Sequence, residues 1–138
     1  MKQAELDGAL IEYIDFGEGK YTFVIESGIG TGVSYWDSFI PFAKQLNARV
    51  IVYSRAGNGS SDRSNNVGLK SSLLRLEKLL TKLNTQKNLI FVGHSFGAFH
   101  ARNFAYYNPD IITLTLLGAT NCKGCVNQIY ASVLKVIL

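Results

Sequence analysis

The sequence predicts a three-layer α/β/α fold built on a mostly parallel sheet that opens with an antiparallel hairpin. Three observations carry this. Short apolar, β-branched runs alternate with segments of helical periodicity. The runs "RVIVYS", "NLIFVG" and "IITLTLLG" are nearly continuous in apolar residues, as strands covered on both faces are. Gly-rich polar loops, "SGIGTG", "SRAGNGSSD" and "GHSFG", follow three of the runs, and in open α/β sheets such strand-end loops build the sites.

Taken in order, "ALIEYIDFGEGKYTFVIES" reads as two extended runs joined at the turn "GEGK", which supplies the antiparallel start. Trp36, Phe39, Ile40, Ala43 and Leu46 recur at helical spacing, so a helix is expected near Ser34 to Leu46, with Pro41 in its middle as a potential break. Arg49 to Ser54 is a short buried strand. From Leu69, "LKSSLLRLEKLLTKL" is an amphipathic helix. "NLIFVG" is the next strand and "FGAFHARNFAYYN" the next helix, stopped by Pro109. "IITLTLLG" is a further strand, and "CVNQIYASVLKVIL" a last helical pattern. Residues 1–120 form the core on this reading, and residues 121–138 begin a cap or C-terminal helical segment.

The 138 residues, 47% hydrophobic and 17% charged, suit one globular domain with a true core. The net charge of +4 is scattered, with no basic stripe interleaved with aromatics, so the sequence does not point to nucleic acid. The opening "MKQAELDGALIEY" has no long apolar stretch, and the chain has no run of 18 apolar residues. The expectation is a cytoplasmic protein without a membrane span.

Chemistry concentrates at Gly93-His94-Ser95-Phe96-Gly97, a G-x-S-x-G between a strand and a helix. In that setting a serine sits on a sharp, strained turn. Gly93 and Gly97 let strand and helix approach closely, and the helix N-terminus turns N–H groups toward developing negative charge. A serine N-cap on an ordinary strand-to-helix turn is the plainer alternative.

Three segments in order resemble the α/β-hydrolase superfamily, most closely its esterase, thioesterase and lipase-like members. "FVIESGIGTGVSYWDSF" is similar to the third strand, oxyanion loop and first helix. "VIVYSRAGNGSSD" is similar to the Tyr-Asp-Arg-x-Gly-x-Gly-x-Ser-Asp segment, with Ser54 at the usual Asp. "LIFVGHSFGAFHARNFAYYNPDIITLTLLGA" is similar to the elbow, its helix and the sixth strand. The resemblance implies a nucleophile at Ser95 and an oxyanion hole from the backbone N–H groups of Phe96 and Ile29. Arg55 and Asp62 are expected to hold their loop. The implied activity is hydrolysis of a small-molecule carboxylic ester or thioester through an acyl-enzyme, with no cofactor and no metal.

A serine hydroxyl needs a base, usually a histidine oriented by a carboxylate, and in this family the chain order is Ser, acid, His. After Asp110 the sequence has no Asp, Glu or His, and Gly118 stands where many relatives carry Asp. His94, beside Ser95, should point into the fold, away from its neighbour. His100 lies about 7.5 Å along the helix and roughly 140° around it from Ser95. Lys123 and Lys135 have no spacing that favours a Ser-Lys pair. The acid and base are therefore expected outside the chain, which reads as the N-terminal part of a hydrolase truncated after its sixth strand, completed by a C-terminal half or an oligomeric partner. The alternatives are a catalytically inactive fragment, a pseudoenzyme or a binding module. Cys122 and Cys125 form a C-x-x-C at a helix start, which leaves a thiol redox role as a further alternative; a zinc site would need more ligands.

Overall fold

A computed structural model of the chain describes residues 1–108, 111 and 113–117. The strands are β1 (Lys2–Leu6), β2 (Ala9–Phe16), β3 (Thr22–Glu26), β4 (Arg49–Tyr53), β5 (Leu89–His94) and β6 (Thr113–Leu117). The α-helices are α1 (Ile40–Ala43), α2 (Leu69–Lys82) and α3 (Phe96–Tyr107), and a 3₁₀ turn spans Val33–Trp36. The six strands form one sheet in the order β1-β2-β4-β3-β5-β6. β1–β2 and β2–β4 pair antiparallel, while β4–β3, β3–β5 and β5–β6 pair parallel.

The antiparallel hairpin lies one strand earlier than the sequence predicts. Leu6 pairs with Ala9 around a two-residue turn, Asp7-Gly8, whose φ angles are 55° and 74°. Positive φ at both turn residues is the hairpin geometry that Asp-Gly favours. The runs flanking "GEGK" do not pair with each other. β4 lies between them, antiparallel to β2 (Tyr13 opposite Tyr53) and parallel to β3 (Glu26 opposite Tyr53). The expected single helix from Ser34 to Leu46 is likewise two short pieces. Pro41 falls in the first turn of α1, where its missing N–H breaks no helical bond. The helix at the elbow ends at Tyr107; Pro109 lies outside the described residues, as do Cys122, Cys125 and Gly118.

Strand alternation builds the three layers. Val24, Ile51 and Phe91 point to one face, where they pack with Leu73, Leu76, Leu79, Ala101 and Phe104 of α2 and α3. Ile25, Val50 and Val52 point to the other, against Val33, Trp36 and Ala43. α2 buries Leu73, Leu76, Leu79 and Leu80, spaced at one helical stripe. Full burial of each such side chain contributes roughly 1.5–3 kcal/mol. Because β3, β4 and β5 are parallel, their carboxyl ends share one edge of the sheet, and Glu26, Tyr53 and His94 end side by side there.

Candidate active site

The turn after β5 is strained at its serine. Ser95 has φ 53° and ψ −121°, a conformation that a residue with a Cβ rarely adopts. Strain of this kind costs on the order of 1–3 kcal/mol and persists only where the surroundings over-determine it. Here they do. A Cβ on Gly93 would lie 2.6 Å from Ala98 Cα, and one on Gly97 would run into the carbonyl oxygens of Glu26 and Ser27. Strand and helix therefore meet closely enough to force the sharp turn. Phe96 opens α3, so its N–H has no partner within the helix. The residue is 40% exposed, and its ring lies 5.3 Å from the Arg55 guanidinium.

The loop after β3 is brought against this turn. A Cβ on Gly28 would lie 3.6 Å from Ser95 Cβ and 3.3 Å from His94 Nδ1. The loop is held from below by Arg55, which donates to Ser27 O and Gly28 O, each at 2.7 Å, and from the side by Trp36 Nε1, which donates to Ser27 Oγ at 2.9 Å. Thr31 Oγ1 donates back to Gly28 O. Ile29 rides on top, 75% exposed. The Arg55 side chain thus holds the neighbouring loop after β3, not the loop it was expected to hold, its own. Asp62 holds the segment after β4: it accepts from Leu10 N at 2.9 Å, and its own N–H donates to Leu10 O.

Behind the turn at Ser95 lies a polar cluster that the sequence pattern does not predict. Glu26 is completely buried. It accepts from Tyr53 Oη at 2.5 Å and Arg55 Nη1 at 3.1 Å, and its Oε1 lies 2.9 Å from His100 Nδ1. His100 Nε2 lies 2.8 Å from Ser72 Oγ. Burial alone would raise the Glu26 pKa, but attraction to His100 and Arg55 and the hydrogen bonds from His100 and Tyr53 outweigh it, leaving the carboxyl below its ordinary value. Burial, then the Glu26 charge, push the Tyr53 phenol well above its own. A signal was present: a carboxylate ending the apolar run "YTFVIE" has to find buried partners. A second cluster centres on Glu12, which accepts from Ser54 Oγ at 2.6 Å and Ser60 N at 3.0 Å. Ser54 Oγ also accepts from Val33 N at 2.9 Å and so ties the 3₁₀ turn to β4.

Neither histidine hydrogen-bonds Ser95, and the buried Nδ1 of His94 has no partner among the described residues. His94 stacks on Tyr35 at 5.3 Å and meets Trp36 edge-on, facing the α1 layer. His100 has both ring nitrogens engaged and is 1% exposed, inside the fold. Among the described residues no histidine hydrogen-bonds Ser95, and no cluster of three His, Cys, Asp or Glu side chains forms a metal site. No helix among them is long and apolar enough to cross a membrane.

A model of the α/β hydrolase fold matches residues 21–126, more than half of the sequence. The chain belongs to the α/β-hydrolase fold family. It is 36% identical over 114 residues to 2-hydroxy-6-oxononadienedioate/2-hydroxy-6-oxononatrienedioate hydrolase 1 of Pseudomonas putida, an alignment covering 78% of this chain and 40% of that protein. It is 33% identical over 116 residues to coelenterazine h 2-monooxygenase of Renilla reniformis, covering 80% of this chain and 36% of that one. The fold matches a crystal structure from a study of carboxylesterases of the thaumarchaeon Nitrososphaera gargenis, with TM-score 0.80 at 21% identity, over 92% of this chain and 48% of that one. This α/β-hydrolase chain thus spans about two fifths of the length of the two curated relatives. One of those is named a hydrolase and the other a monooxygenase, so the fold alone does not fix the reaction.

Proposed function

We propose that Ser95 is the nucleophile of a hydrolase acting on a carboxylic ester or thioester. The observation that carries this is the φ of 53° at Ser95, held between Gly93 and Gly97 at the end of a central parallel strand. An ordinary N-cap serine has no need of that strain, and Ser95 makes no side-chain cap bond. Ser95 Oγ attacks the acyl carbon as a base removes its proton. The carbonyl oxygen takes the negative charge and is held by the N–H groups of Phe96 and Ile29. The bond to the leaving oxygen or sulfur breaks, the proton passes to that atom, and water then releases the acid from the acyl-enzyme. The base and its orienting acid come from outside the described residues. Support for this is that no histidine among the described residues hydrogen-bonds Ser95, His100 being held by Glu26 and Ser72.

A panel of p-nitrophenyl esters and acyl thioesters, assayed with the full-length protein, tests the reading. Ser95→Ala should reduce turnover by a factor of about 10³ or more while leaving the fold intact. A folded wild-type protein that turns over no acyl substrate favours the second reading, a noncatalytic binding module, which rests on the absence of a hydrogen-bonded base at Ser95 among the described residues.

A further inference from the structure

A cleft of about 450 Å³ opens between the segment after β4, the N-terminus of α2 and the start of α3. Arg63, Ser64, Gly68, Ser72, Arg75 and Phe96 are among the residues that line it. Arg75 is 6% exposed, an unusual position for a guanidinium. Its Nη2 donates to Ser64 Oγ at 2.8 Å and reaches Asn66 O at 3.5 Å, while its buried Nε has no hydrogen-bond partner among the described residues. Arg55, which lines the same cleft, is matched by Glu26. Among the described residues neither Arg75 nor Arg63 is in an ion pair. A buried charge without a counter-charge is costly, and an uncompensated arginine beside an open cleft calls for an anion.

The helix end adds to the same field. α2 starts at Leu69, which lines the cleft, with no side-chain cap and no acidic residue in its first turn. Its first N–H groups have no partners within the helix, and the dipole there is positive. Ser72 and Arg75 are three residues apart, which sets both on the face of α2 that borders the cleft.

We infer that this cleft is an anion site: Arg75, Arg63 and the N-terminus of α2 hold the carboxylate or phosphate group of a small acidic ligand. Arginine forks and helix N–H groups suit both oxyanions. The inference does not rest on the role of Ser95, and binding is read without turnover.

The test is titration of the protein with inorganic phosphate and, separately, with succinate, at ionic strength held constant with NaCl, following heat release and Tm. Saturable binding with a rise in Tm is expected for at least one of the two; phosphate alone assigns a phosphate ester, succinate alone a carboxylate. Arg63→Gln, at an exposed position, should raise the half-saturating concentration about tenfold, and Arg75→Gln should abolish saturation. Arg102→Gln, outside the cleft, should bind as wild type. If Arg75→Gln does not fold, the wild-type titration and Arg63→Gln decide the matter. No response beyond that of NaCl, or equal weakening by Arg63→Gln and Arg102→Gln, overturns the site.

Discussion

His100 Nδ1 lies 2.9 Å from Glu26 Oε1, in a place where both side chains are cut off from water. Helix α3 and strand β3 are thereby joined directly behind the strained serine. The same carboxylate holds Arg55, and Arg55 holds the loop that lies against Ser95. A buried acid thus sets the geometry of the whole strand-end edge.

Glu26→Gln should therefore destabilise the fold by about 3–5 kcal/mol near neutral pH, because Arg55 would be left buried without its counter-charge. The pH dependence has a definite sign. The folded pKa of Glu26 is below its ordinary value of 4.5, so the unfolded chain binds the proton more readily. The contribution is complete above pH 4.5 and is lost as pH falls through the lowered folded value. Urea unfolding across the acid range should show a shallower loss of stability in the variant. An unchanged acid limb would place the linkage elsewhere.

Arg55→Lys keeps the charge but cannot reach Glu26, Ser27 O and Gly28 O together, since an ammonium lacks the planar fork. The expected result is faster amide exchange across residues 27–32, with smaller changes in α2. Hydrogen exchange by mass spectrometry reads both regions in one experiment.

Much of this was legible in the sequence. The apolar runs predict β4, β5 and β6, the leucine spacing predicts α2, and the glycines around Ser95 predict a sharp strand-to-helix turn. The misreadings have physical causes. Asp7-Gly8 is a strong hairpin signal, but β1 before it is short and half polar, so the Gly-rich "GEGK" drew the turn. Nothing local in β2 and β3 announces that β4 will insert between them, because that pairing is set by sequence-distant burial. The Glu26 cluster joins residues up to 74 positions apart. Only the oddity of an acid at the end of an apolar strand hinted at it.

Gly97→Ala should cost about 1–3 kcal/mol, since the added methyl meets two backbone carbonyls that have little room to move. Gly30→Ala, with nothing within 4 Å of the new Cβ, should cost less, the remaining penalty coming from its φ of 70°. Chemical denaturation of the pair separates packing from backbone strain. Equal losses would argue against a close strand–helix contact.

Phe91→Ala should cost about 3–5 kcal/mol, as Phe91 is fully buried beneath α3 and meets Phe104 at 5.1 Å. A loss below about 1 kcal/mol in a urea titration would mean that this layer is not packed as described.

A Ser95 poised for attack should react with a fluorophosphonate probe. Incubated with the full-length protein and followed by peptide mapping, the probe should modify Ser95, and modification should vanish in Ser95→Ala. Folded protein that takes up no label at Ser95 would mean that this serine is not a nucleophile.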